Sequence, residues 1–184
     1  MKQLIGRIGE CAAEEYLRHR GFLVWKPSEF VRLLELVALY NTLTGECTAE
    51  PREPVTMRLP TRVGYVSVTY WRNKCIQENG REATLLEAST YAPCVRRCIA
   101  EALGQPLLQT LSGVSERLLE NRRALETIDL FAYKDRVLYA VEVKTNGGKL
   151  TERQLEKATV LRDLLKPLVV HIHLQNPVFE IEHL

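Results

Sequence analysis

The chain has 184 residues, 46% of them hydrophobic and 26% charged, with a formal net charge of +2. That length allows one ordinary domain, or a small core that carries an insertion. The near-neutral balance excludes binding to nucleic acid through bulk charge, so any such surface must be a local patch. No apolar run reaches the ~18 residues of a membrane helix, so no membrane partner is expected. The start, MKQLIGRIGE, is broken by charge too early for a secretory signal, which places the expected location in the cytoplasm.

Residues 3–19 read as a helix closed by Gly21. At 100° per residue Ile5, Ile8, Gly9, Ala12, Ala13, Tyr16 and Leu17 share a broad face, with Glu10 at its edge. "FLVWKP" reads as a short strand stopped by Pro27. Ser28 then caps a helix to about Tyr40, with Phe30, Leu33, Leu34 and Val37 as its stripe. Pro51, Pro54 and Pro60 punctuate a loop, "RVGYVSVTYW" alternates like a strand, and residues 82–103 and 107–125 read as helices. Residues 28–126 thus read as a mostly helical insertion between residues 1–27 and 127–184. Its 12 Lys plus Arg balance its 12 Asp plus Glu.

The last third alternates clearly. "TIDLFAY" and "RVLYAVEVKT" are strands joined at Lys134-Asp135, "LTERQLEKATVLRDLL" is a helix, and "LVVHIHL" is a final strand. Without the insertion the order is helix, strand, strand, strand, helix, strand. That order predicts an α/β fold with a mixed sheet. His171 and His173 share the outer side of what reads as an edge strand.

Five cysteines, Cys11, Cys47, Cys75, Cys94 and Cys98, include no CxxC pair and none beyond Cys98. The density is low for a disulfide scaffold, and the histidines are poorly spaced for zinc, so structural or free thiols are expected, with a disulfide and then a metal or cluster as the alternatives.

The chemistry concentrates in the hairpin. A two-residue turn at Lys134-Asp135 sets Asp129 opposite Ala140, diagonal to Glu142 and about 7–8 Å from it at the backbone. Lys144 projects from the same face; a three-residue loop would reverse this parity. Three charges on one face of interior strands are costly unless paired or bound to a cation. Asp and Glu without His offer hard oxygen ligands, which suit Mg²⁺ or Mn²⁺. Such an ion can hold a phosphate oxygen and a water, while Lys144 orients the water or neutralises the phosphate.

"ID" at 128–129 followed by "EVK" at 142–144 resembles the PD-(D/E)xK nuclease superfamily, with Ile128 in place of the proline. "GRIGECAAEEYLRHRGF" is similar to the first helix of archaeal Holliday junction resolvases and of VRR-NUC nucleases, and "GGKLTERQ" resembles the stretch after the lysine in the latter. The resemblance covers residues 1–27 and 127–184. It implies a restriction-endonuclease-like α-β-β-β-α-β core and hydrolysis of DNA by water on Mg²⁺. Asp129 and Glu142 would bind the metal with the Val143 carbonyl, and Glu10 would order a water or a second ion. Lys144 would position the nucleophile, and Gln154 would orient Lys144 or the phosphate.

Other readings compete residue by residue. Glu10 also fits an exposed helix edge, and Thr151 with Gln154 fits a capping box. Lys149 and Arg153 fit phosphate contacts or plain surface, as do Arg58, Arg62, Arg72 and Lys74 of the insertion. Trp71 beside Arg72 and Lys74 joins an aromatic to cations, as single-strand binders do, or is core. The expected function is a metal-dependent DNA nuclease. The alternatives are a junction resolvase, which needs a homodimer, and a non-cutting nucleic-acid-binding module on the same fold. An iron–sulfur nuclease of the CRISPR-associated type would need cysteines after the lysine motif, and there are none.

Overall fold

The computed structural model describes residues 2–76, 79–148, 161–173 and 179–183. In chain order its elements begin with α1 (Lys2–His19), β1 (Leu23–Trp25), α2 (Pro27–Thr42), β2 (Val55–Thr61), β3 (Gly64–Trp71), β4 (Lys74–Ile76) and β5 (Arg81–Glu82). They continue with α3 (Leu85–Leu103), α4 (Gln105–Ser112), α5 (Ser115–Glu120), α6 (Arg122–Leu125), β6 (Leu130–Lys134), β7 (Val137–Thr145), β8 (Lys166–Ile172) and β9 (Phe179–His183). The chain divides into two compact units, Met1–Val31 with Asn121–Leu184, and Arg32–Glu120.

The first unit is a mixed α/β structure around a five-stranded sheet in the order β1-β6-β7-β8-β9. β7 and β8 run parallel, and the other neighbours are antiparallel. Helix α1 ends as Gly21 predicts. Gly21 takes φ +81°, its N–H donates to the Arg18 carbonyl, and the Phe22 N–H donates to the Leu17 carbonyl. This pair of bonds satisfies the last carbonyls of the helix. The expected apolar face of α1 lies on the sheet through Gly9, Ala12, Ala13 and Leu17, while Ile8, expected on that face, is exposed. Ala13 and Leu17 are fully buried with Val24, Leu130, Ala132, Val141, Leu168, Val170 and Ile172. The opposite face of β6 carries Phe131, whose ring stacks on Phe30 from the start of α2 at 4.1 Å between centroids.

Two expectations change here, and a third lies mostly outside the described residues. The hairpin turn is made by Asp135 and Arg136, both at positive φ, so Lys134 pairs with Val137. Positive φ at both central residues gives the twist that closes a two-residue hairpin. The last strand is not an edge, because β9 adds antiparallel to β8 and places it inside the sheet. Of the helix expected over residues 150–165, only the end lies within the described residues, with Leu161 and Leu165 buried.

The second unit corrects the mostly helical expectation. Beside its helices it holds a four-stranded sheet in the order β4-β3-β2-β5. Residues 55–61 were expected as loop because of the prolines, yet Pro60 falls beyond the two residues where β2 pairs with β5, at a free flank of the strand. Helix α3 starts at Leu85 behind a capping box. The Thr84 hydroxyl accepts from the Glu87 N–H, and the Glu87 carboxylate accepts from the Thr84 N–H. One sheet face, with Val55, Met57, Leu59, Val66, Val68 and Tyr70, packs on Leu39, Val95 and Ile99. The cysteines also depart from the free-thiol expectation. Cys94 and Cys98, one turn apart on α3, form disulfides with Cys47 and Cys75, and Cys11 alone is free.

Two glycines of α1 test its seating. A Cβ on Gly9 would come within 2.4 Å of Thr145 Cγ2, whereas one on Gly6 would meet nothing within 4 Å. Gly6→Ala should therefore stabilise by about 0.5–1 kcal/mol through helix propensity. Gly9→Ala should destabilise by about 1–3 kcal/mol by forcing α1 away from β7. Thermal melts should show opposite shifts of about 2–4 °C per kcal/mol. Parallel shifts would mean that α1 is not seated on Thr145.

Candidate metal and phosphate site

The site begins where the β6–β7 ladder runs out. Leu130 pairs with Val141 as the last backbone pair. One step beyond, Asp129 stands at the register of Glu142, not of Ala140, because the turn lies one residue later than expected. The shift preserves parity, so Asp129, Glu142 and Lys144 still share a face. They are simply closer together, directly across the strands instead of diagonal. The Val143 N–H donates to Asp129 Oδ2 at 2.8 Å, so a side chain takes over the ladder from the backbone. A strand residue's amide and carbonyl project to the same side, so the Val143 carbonyl faces the start of β6 as well.

The electrostatics follow from this crowding. Lys144 Nζ lies 3.5 Å from Glu142 Oε2, and both side chains are largely buried, at 11% and 16% exposure. One ammonium does not neutralise two carboxylates. Glu142 is pushed up to about 7, chiefly by burial and then by the charge of Asp129, with Lys144 pulling the other way. A hydrogen bond between the Asp129 and Glu142 carboxyls adds to the rise, and such a bond needs a proton on one of them. Glu10 is half-buried and also raised, first by burial and then by Asp129, against the opposing Arg7 and Lys26. The negative charge of Asp129 therefore reaches both glutamates.

Asp129, Glu142, Val143 and Lys144 come together, and Glu10 feels the same field from α1. Among the described residues, the one trio of donor atoms within 4.8 Å of one another is Cys47, Glu50 and Cys94, in the second unit. Two of its three members are joined as a disulfide. Gln154, Lys149 and Arg153 lie outside the described residues. Arg62 faces Glu116 at 3.5 Å, Arg72 lies over the Trp71 ring, and Lys74 is exposed; all belong to the second unit.

His171 was read as surface of an edge strand. In the sheet it is the neighbour of Lys144 on β8 and shares its face, and its Nε2 lies 3.4 Å from Glu182 Oε2. The signal that would have revealed this is β9, whose alternation "FEIEH" is too short and too charged to stand out. No protein family, curated protein or solved structure matches this chain.

The raised Glu142 makes a signed prediction. Its folded value of about 7 lies above its ordinary 4.5. The stability that proton binding contributes is fully present below pH 4.5 and is lost as pH rises through about 7. Glu142→Gln should thus gain on the wild type from pH 5 to about pH 7 and then level off toward pH 8 in melts without divalent ions. Mn²⁺ should stabilise the wild type more at pH 8 than at pH 5.5, and should stabilise the variant little. A difference between the two proteins that stays flat across this window would remove the crowded-carboxylate description.

Proposed function

We propose that this chain is a metal-dependent nuclease that hydrolyses phosphodiester bonds in DNA, on a restriction-endonuclease-like core of the PD-(D/E)xK type. The observation that carries the reading is the face shared by Asp129, Glu142 and Lys144, with the two carboxylates at one register. The order α1, β1, β6, β7, β8 in the first unit supports the fold assignment.

The donor set fits a hard divalent cation. All its ligands are oxygens, and its excess negative charge adds to the burial that chiefly raises Glu142. Asp129, Glu142 and the Val143 carbonyl would hold Mg²⁺ or Mn²⁺, which when bound would polarise a phosphate and acidify a water. The chain's own groups do the rest. The Val143 N–H fixes the plane of the Asp129 carboxylate. Glu142 gives up its proton to become a ligand. Lys144 offsets charge on the phosphate or orients the attacking water, and Glu10 lies where it can hold a water on the α1 side. In this reading Gln154 assists Lys144.

Asp129→Asn keeps the hydrogen-bond acceptor for Val143 and removes the charge. It should cut turnover by about 10²-fold or more and leave the melt near that of the wild type. The assay uses linear, flapped, single-stranded and four-way-junction DNA with Mg²⁺, Mn²⁺, Ca²⁺ or EDTA. Activity is expected with the first two ions, and none with EDTA or with Ca²⁺, whose looser coordination positions water poorly. Wild-type turnover by the variant, or full activity in EDTA, would overturn the proposal. Cutting confined to four-way junctions by a dimer would narrow it to a junction resolvase.

A further inference from the structure

The charges of the second unit are not evenly spread. Residues 55–76, which form β2, β3 and β4 with their turns, hold Arg58, Arg62, Arg72 and Lys74 and no Asp or Glu of their own; Arg62 pairs with Glu116, which lies outside the run. One face of this three-stranded meander is the buried side already described. The other carries Arg58, Pro60, Tyr65, Ser67 and, further along, Trp71 and Lys74, as the alternation of β2 and β3 and the Trp71↔Lys74 pairing require.

Its middle is sealed. The Thr56 and Thr69 hydroxyls bond to each other at 2.8 Å, and the Gly80 N–H donates to Thr56 Oγ1. Its two ends are built alike. At one end Tyr65 is 65% exposed, with the Arg58 guanidinium 4.8 Å above its ring. At the other the Arg72 guanidinium lies 4.4 Å above the half-buried Trp71. Six residue steps along β3 separate the two aromatics, about 20 Å of strand. Exposure of a large aromatic ring stabilises nothing by itself, and the Arg58–Tyr65 contact presents this one beside a cation.

We infer that this face is a docking platform for single-stranded DNA. Bases stack on Tyr65 and on the arginine–aromatic ends, and Arg58, Arg72 and Lys74 meet phosphates. Two physical features select this occupant. An acid-free run of cations is complementary to a phosphate backbone. Flat rings flanked by cations bind bases whose faces are free, which a duplex conceals within its stack. The choice of DNA over RNA rests on the nuclease reading above; the platform itself does not depend on cleavage.

The test is binding, measured by fluorescence anisotropy with the full chain carrying Asp129→Asn, in EDTA, so that cutting plays no part. Probes are a single-stranded DNA 20-mer, its duplex and the RNA of the same sequence. Tyr65→Ala should weaken single-strand binding by about tenfold and leave the duplex unaffected, while Tyr65→Phe, which keeps the ring, should bind like the parent. Arg58→Ala with Lys74→Ala should lower the salt slope by about 1.4, two phosphates' worth for a single strand. Tyr65 is exposed, so its substitution leaves the fold intact, which a melt verifies. Unchanged single-strand affinity on Tyr65→Ala, or an equal loss for the duplex, would overturn the platform. Tighter binding of RNA than of DNA would overturn the choice of DNA.

Discussion

A single hydrogen bond, from the Val143 N–H to Asp129 Oδ2, sets the geometry on which the site depends. It closes the last rung of the β6–β7 ladder with a side chain where the backbone of β6 has already turned away. Without it, Asp129 would be a loop residue free to point to solvent. With it, the carboxylate is pinned across from Glu142, and the two negative charges cannot separate. Everything upstream serves that placement. The Asp135–Arg136 turn fixes the register, and Leu130, Ala132 and Val141 hold the hairpin on α1.

The pinned pair is electrostatically uncomfortable, and that discomfort carries the chemical meaning. Two unit charges about 4 Å apart repel by roughly 4 kcal/mol at the effective dielectric of a protein site. Lys144 relieves part of this for Glu142, and burial together with the remaining repulsion leaves a carboxyl that keeps its proton to about pH 7. A structural ion pair would be built with matched charges, and this cluster has one cation for two acids plus the field of Glu10. Under the proposed reading, a divalent ion supplies the missing charge and the proton on Glu142 is the species it replaces.

Much of the first unit was legible from alternation and caps. The α1 face, the end at Gly21 and strands β6 to β8 all follow from period and from one glycine. The turn was not, because Lys134-Asp135-Arg136 contains no glycine or asparagine to mark which residues take positive φ. The error cost little at the site, since moving the turn by one residue changes who faces whom but not which face each residue occupies. The strands of the second unit were harder. β2 contains a proline, β4 and β5 are three and two residues long, and such pieces acquire identity only from their neighbours. His171 was misjudged for a related reason: whether a strand is interior depends on what pairs beyond it, and β9 is weakly patterned.

Neutral composition also concealed how charge is organised. Across residues 28–126 the 12 cations equal the 12 acids in number. In the fold they do not cancel locally. Several acids are committed in pairs, Glu53 and Glu87 to Arg81, Glu50 to Arg97 and Glu116 to Arg62. Apart from Arg62, two of the meander's cations lie against aromatic rings, Arg58 on Tyr65 and Arg72 on Trp71. At physiological salt the screening length is about 8 Å, so a ligand at that face responds to the charges within one such length and hardly to the sum. Net charge therefore describes this chain's behaviour at a distance, and the pairing of each acid describes what it can bind.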